Sequence, residues 1–180
     1  MAVGEGRIGT AERLLTAALS AFAERGYEAT SLDDIAAECG VRKQTLLYHY
    51  SSKEALLDAV VDHTVAVLAD RVEAAIPGST DPRRTVVDAL FRVGGERPEL
   101  LELIREVLRL GPPASERLLA AAEPFLERLA TGLPRDKILG AGAMIIGMAT
   151  EADVLASVGV RPTVAHLRRR RRILLEYLSA

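Results

Sequence analysis

Tryptophan is absent from this 180-residue chain, cysteine occurs once, and aromatic residues make up only 4% of it. A lone cysteine excludes an internal disulfide framework and a cysteine-built zinc module, and it suits a reducing cytoplasm. Long apolar runs are missing too. The most apolar stretch, Ile138 to Thr150, is too short to cross a bilayer and stops at Glu151. Residues 1–10 lack the apolar heart of a signal peptide. The expectation is a soluble, cytoplasmic protein with no membrane partner.

Nor is there an excess of charge of one sign. Lysine and arginine total 23 against 25 acidic residues, a net charge of −2, and five of the arginines form one run, Arg168 to Arg172. The first 50 residues hold five basic and seven acidic side chains, so any grip on nucleic acid must rest on a few well-placed cations. Walker loops, Gly-x-Ser-x-Gly elbows and His-Glu-x-x-His pairs are all absent. His49, His63 and His166 lie far apart, and His63 beside Asp58 and Asp62 reads as an exposed polar helix face rather than a cation site. Gly140-Ala141-Gly142-Ala143 follows no strand and lacks the third glycine of a dinucleotide loop. The expectation is a non-enzyme with no cofactor and no metal.

What the chain does have is helical punctuation. Alanine, leucine, arginine and glutamate dominate, which favours helices over strands. Thr10 is placed to cap a helix whose stripe is Leu14, Leu15, Ala18, Leu19 and Phe22, with Gly26 as its stop. Ser31 and Asp34 have capping-box spacing and open a short helix burying Leu32, Ile35, Ala36 and Cys39, closed by Gly40. On that face Cys39 reads as packing rather than as a nucleophile. A third short helix spans about 42–49. Ser51 to Glu54 spells another capping box and opens a long helix to about residue 75, with Leu57, Val61, Val65, Leu68 and Val72 in helical register. Pro82, Pro98, Pro113 and Pro134 mark the starts of helices over about 82–94, 98–110, 114–131 and 134–158, and Pro162 precedes a last helix over about 163–178. This predicts an all-α protein of about nine helices. A three-helix unit over 1–50 is followed by a helical body over 51–180.

The second and third helices, joined through Gly40-Val41, have the form of a helix-turn-helix. The turn needs a residue free to adopt left-handed backbone angles, and the second helix then offers its first residues to the major groove. Alone this pattern is weak, since many bundles contain it. The longer string carries more. Thr10 to Phe22, Gly26 to Ala36, and Gly40-Val41-Arg42-Lys43-Gln44-Thr45-Leu46-Leu47-Tyr48-His49-Tyr50-Ser51-Ser52-Lys53-Glu54-Ala55-Leu56 together resemble the N-terminal block of the TetR family of transcriptional regulators. Departures exist. Arg42 stands where serine is frequent, Gln44 where glycine is common, Leu47 for a frequent tyrosine and Tyr50 for a frequent phenylalanine.

The resemblance implies a dimer on a double-stranded DNA operator, released by a small molecule. It makes Arg42, Lys43, Gln44 and Thr45 base readers, Gln44 being able to pair bidentately with adenine. It makes Thr30, Ser31, Tyr48, His49 and Lys53 phosphate contacts. Gly140, Ala143, Gly147, Glu151, Val154 and Val158 share one side of the eighth helix, and Val164, Leu167, Arg171, Leu174 and Leu178 repeat along the ninth. Those seams resemble the family's dimerising pair, so Gly140, Ala143, Gly147, Val154, Leu167, Arg171, Leu174 and Leu178 are the expected interface; an ordinary core explains the same spacing. For a mostly apolar effector the expected walls are Phe91, Leu101, Ile104, Leu108, Phe125, Met144 and Met148, with Arg105 and Glu151 as polar anchors; a filled core competes at each position. The arginine run reads as a solvated face with ion pairs to acidic neighbours.

Overall fold

Gly26 and Gly111 each end a helix, and Pro82 and Pro98 each begin one. The computed structural model describes residues 9–129, 134–159 and 163–179, apart from the side chains of residues 148–150, 152, 153, 156, 164 and 167. Among the described residues there are nine helices and no strand. They are α1 Thr10–Arg25, α2 Leu32–Glu38, α3 Lys43–His49, α4 Lys53–Glu73, α5 Pro82–Glu96, α6 Pro98–Leu110, α7 Ala114–Leu129, α8 Arg135–Ser157 and α9 Val164–Ser179. None is long and apolar enough to cross a membrane.

Two caps differ from expectation. Gly9, not Thr10, precedes α1, and its carbonyl accepts from the Arg13 amide; Thr10 is already helical. Ser52, not Ser51, caps α4, its hydroxyl accepting from the Ala55 amide at 3.1 Å. The third helical position is therefore an alanine, which has no side chain to complete a box. The Ser31–Asp34 box is present in both directions.

One buried cluster runs through the first seven helices. Leu14 and Phe22 of α1, Ile35 of α2 and Leu46 of α3 pack with Val60 and Val61 of α4, Val93 of α5, Val107 of α6 and Leu118 of α7. The predicted stripe of α4, Leu57 to Val72, is buried throughout. A second cluster joins Val87, Leu101, Ala141, Ile145, Leu174 and Leu178, and so ties α5 and α6 to α8 and α9. Helix α6 belongs to both clusters: Leu100, Leu103 and Val107 face the first and Leu101 the second.

Candidate nucleic-acid interface

Short helices such as α2 and α3 are not stable alone, so their placement rests on what anchors them. The Val41 amide donates to the Ala36 carbonyl at 2.9 Å and the Gly40 amide to Ala37 at 3.0 Å, which ends α2 in a Schellman turn. Gly40 takes φ +66°, the left-handed angle that turn requires. Arg13 of α1 reaches the Cys39 carbonyl at 2.5 Å, and the Tyr50 hydroxyl donates to the Ala11 carbonyl at 3.1 Å. Helix α3 is thereby bracketed, and Leu46 is its one buried residue, 0% exposed.

The rest of α3 faces out. Gln44 and Tyr48, one turn apart, stand opposite Leu46, and Tyr48 is 86% exposed. An aromatic ring left that bare in water is unusual unless something covers it. His49 packs edge-on against Tyr48 at 5.3 Å between centroids. Arg42 precedes the helix and is exposed, as is Gln44, while Thr45 is half-buried. Lys43 is held in an ion pair with Asp33 of α2 at 2.7 Å, a surface contact weak enough to yield to a phosphate or a base edge. Leu47, outside the expected site, is also exposed.

Two of the expected phosphate contacts are engaged within the chain. Thr30 is buried, and its hydroxyl donates inward to the carbonyls of Ala21 at 3.2 Å and Gly26 at 2.8 Å, so it fastens α1 to α2 and offers nothing outward. Ser31 is exposed, but its hydroxyl lies 2.6 Å from the Asp34 carboxylate and accepts from the Asp34 amide. That hydroxyl, first, holds the Asp34 carboxyl below its ordinary range. Lys53 sits over the Tyr27 ring, its ammonium 4.3 Å from the centroid, at the start of α4. Burial, followed by the charge of Glu54, pushes the Tyr27 phenol up to about 12.

A cavity of about 540 Å³ opens in the body. Leu101 and Ile104 of α6 and Phe125 of α7 line it, as expected. The α8 wall is different from expectation: Ile138, Ala141, Gly142, Ile145 and Ile146 face the cavity. Met144 instead borders a separate, smaller cleft of about 250 Å³ with Gly147, Glu151, Arg170 and Ile173. Phe91 and Met144 pack on the outside of the second cluster, Leu108 is 43% exposed, and Arg105 does not reach the cavity. Glu151 pairs with Arg170 and lies 3.7 Å from His166. The Met148 side chain lies outside the described residues. The charged groups that do line the cavity are Arg83 and Arg128, at the start of α5 and the end of α7.

Much of the expected dimer seam is internal to the chain. Leu174 and Leu178 are buried in the second cluster, and Arg171 forks onto Asp88 of α5, with one bond of 2.7 Å. Gly140 gives room to Tyr177 of α9: a Cβ there would lie 2.9 Å from the ring's Cζ. The Leu167 side chain lies outside the described residues. Of the expected seam, Ala143, Gly147 and Val154 remain exposed on α8, with Leu139 on the same helix and Val158 just past its end also exposed. In the arginine run Arg170 and Arg171 are paired, while Arg168, Arg169 and Arg172 are exposed.

Residues 14–60 match the family model described as bacterial regulatory proteins, tetR family. Over 82 residues the chain is 42% identical to the HTH-type transcriptional activator FasR of Mycolicibacterium smegmatis, a stretch that covers 44% of this chain and 37% of that protein. The match therefore spans little more than a third of the relative's length. A transcriptional regulator from Rhodococcus sp. Rha1 has the same shape, with a TM-score of 0.74 at 20% identity over 94% of this chain and 96% of that one. The fatty acid degradation regulator FadR from Bacillus halodurans gives 0.71 at 18% identity over 97% of each chain. At such identities it is the fold that is shared.

Proposed function

We propose, from the match of residues 14–60 to the model of bacterial regulatory proteins of the tetR family, a homodimeric repressor that reads a pseudo-palindromic operator in the cytoplasm and is released by a small apolar molecule. The observation that carries this reading is the outward face of α3. Arg42, Gln44, Leu47 and Tyr48 are exposed on a helix held from behind by Leu46 and entered through a helix-turn-helix bend. Arg42, Lys43, Gln44 and Thr45 meet base edges, Leu47 supplies apolar contact, and Tyr48, His49 and Lys53 meet the backbone. Ser31 acts first as a cap and Thr30 only as a fastening. Two copies set their recognition helices about one DNA turn apart, and a dimer covering its operator excludes other proteins from that stretch.

A titration against an operator selected by the protein from random duplexes tests the interface. Gln44→Ala should cost about 1–3 kcal/mol and relax specificity at one position. Lys53→Ala should weaken all sequences alike and lower the salt slope by about 0.9 for a single lost phosphate contact. Unchanged affinity in both variants would overturn the assignment.

The effector reading rests on the 540 Å³ cavity, which is of the size that takes a small organic ligand and is walled by aliphatic side chains and Phe125. Arg83 and Arg128 are the charged groups on its lining, Arg128 held to Glu73 at 2.7 Å and Arg83 reaching the Leu178 carbonyl at 3.4 Å. Linkage requires that a ligand which prefers a DNA-incompatible spacing of the two heads weakens DNA binding, and that DNA weakens the ligand by the same factor. Helix α4, with Leu57 in the first cluster and Leu68 on the cavity wall, reaches both ends. In a thermal-shift screen of apolar compounds, one that stabilises the wild type and releases the operator should do neither in Ile145→Trp, whose indole intrudes on the space a ligand needs. An effect unaltered by that substitution would move the effector site elsewhere.

A further inference from the structure

Glu106 is the one acidic or basic residue buried among the described residues, 9% exposed, and nothing in DNA reading or ligand binding as set out above uses it. It stands on α6 and reaches across 79 positions of sequence: its Oε1 accepts from the Tyr27 amide at 2.8 Å. Arg109, one turn on, clasps both oxygens, with Nη2 2.8 Å from Oε1 and Nε 2.7 Å from Oε2. These contacts, Arg109 first, hold the carboxyl below its ordinary range, so it is charged. Gly26 is shaped to admit it. Its φ is +84°, and a Cβ there would sit 3.2 Å from the Glu106 oxygen.

Tyr27 is a junction in the head. Its amide goes to Glu106, its carbonyl accepts from the Thr30 amide at 3.2 Å, its ring tilts against Phe22 at 5.3 Å, and Lys53 lies over the ring's face. The loop it occupies leads directly into α2 and the turn to α3. On the other side of α6, Leu101 and Ile104 form cavity wall, and Ile104 is two residues from Glu106, about half a turn round a stiff helix. Side chains on opposite faces of one short helix move together.

We infer that Glu106 is a positioning residue that couples the cavity to the DNA-reading helices, by fixing the Tyr27 loop in its DNA-binding pose only while α6 lies where the empty cavity leaves it. This rests on the effector reading of the cavity. A molecule that presses Leu101 and Ile104 outward shifts the carboxylate relative to the Tyr27 amide. Hydrogen bonds to a charged acceptor are short and directional, so a displacement of well under the length of a side chain weakens this one. The buried charge then follows its remaining partner, Arg109, and the loop loses its fixed point. Helix α4 touches the same loop at other atoms, Lys53 reaching the Glu28 carbonyl at 3.5 Å and lying over the Tyr27 ring, whereas the Tyr27 amide is held by Glu106.

The test is a double-mutant cycle in the full-length protein with the selected operator duplex, and it needs no effector. Ile145→Trp lies on α8, away from the head, and stands in for an occupied cavity. It should weaken operator binding about tenfold, in the middle of the usual range for coupling between sites. In a Glu106→Ala background the same substitution should change affinity by less than about twofold, because the coupling is then absent. Glu106→Gln, which keeps an acceptor for the Tyr27 amide, should retain part of the response, and it serves for the cycle if the alanine variant does not fold. Hydrogen exchange of the Tyr27 amide gives an independent signature: it should quicken with Ile145→Trp, whereas a residue that only packs would leave it unchanged. Equal weakening by Ile145→Trp with and without Glu106 would overturn the inference and assign the coupling to α4. No weakening in either background would instead remove the effector reading of the cavity, and the coupling with it.

Discussion

Leu46→Ala is expected to destabilise the protein by about 2–5 kcal/mol, the cost of truncating a fully buried leucine that cannot be replaced by its neighbours. Helix α3 has seven residues and Leu46 is the only one buried. A helix that short cannot hold itself together, so its position is whatever its anchor dictates. With a cavity behind it α3 tilts or frays, and the face bearing Gln44 and Tyr48 loses its alignment with the groove. For a chain of this size the melting temperature should fall by about 2–4 °C per kcal/mol. Operator binding should be lost at temperatures where the variant is still folded. Tyr48→Ala is the matched control, since an 86% exposed ring contributes nothing to the core: the melting temperature should stay put while affinity falls. Calorimetry and a DNA titration check both. A Leu46→Ala protein with unaltered melting and binding would mean that α3 is not the reading helix.

Gly147→Arg is expected to split the dimer without unfolding the subunit. The reason is the outer face of α8, where Val154 is 59% exposed and Leu139, Ala143 and Gly147 continue the row, with Val158 just past the helix end 68% exposed. Apolar surface gathered in one stripe is commonly covered by a partner. Among the described residues, nothing outside the neighbouring turns of α8 lies within 4 Å of where a Cβ would stand at Gly147. A larger side chain there has room within the subunit. Between two closely packed helices the same side chain has no room. The loss should be large for DNA, because a monomer forfeits the effective concentration that joins two half-sites, an advantage of about 10²–10⁴. Sedimentation at micromolar concentration should give a dimer for the wild type and a monomer for the variant, with closely similar melting of the subunit. A wild-type monomer would overturn the dimer itself, and a variant that still pairs would move the interface off α8.

The order and extent of the nine helices were legible because their signals are local. Pro82 and Pro98 begin α5 and α6 as read, Gly26 ends α1, and Ser31 with Asp34 caps α2. The outward face of α3 was legible too, as a string of residue types at fixed spacing. What could not be read was rotation. Helix α8 is apolar on nearly every side between Ile138 and Ile146, so periodicity does not say which stripe turns inward. The face bearing Ile138, Ala141 and Ile145 does, and Met144 and Gly147 turn away from the cavity. Small residues misled for the same reason. Gly140 reads like Gly147 in sequence, yet one makes room for Tyr177 within the chain and the other faces open space. Thr30 failed differently: a threonine before a helix suits an outward phosphate contact, and only the carbonyls of Ala21 and Gly26 behind it show that the hydroxyl turns in. Glu106 gave no sequence signal, since its partner is a backbone amide 79 residues away.

The first buried cluster also bears on how the protein comes into being. Leu46, which seats the reading helix, shares that cluster with Val107 of α6 and Leu118 of α7. Helix α3 itself packs on α1 and α2, while α1 packs in turn on α6. The ribosome makes the head first, and at about 5–20 residues per second α6 follows several seconds later. Until then the face of α1 that α6 covers is open to water, so the young head is an exposed apolar surface before it is a finished unit.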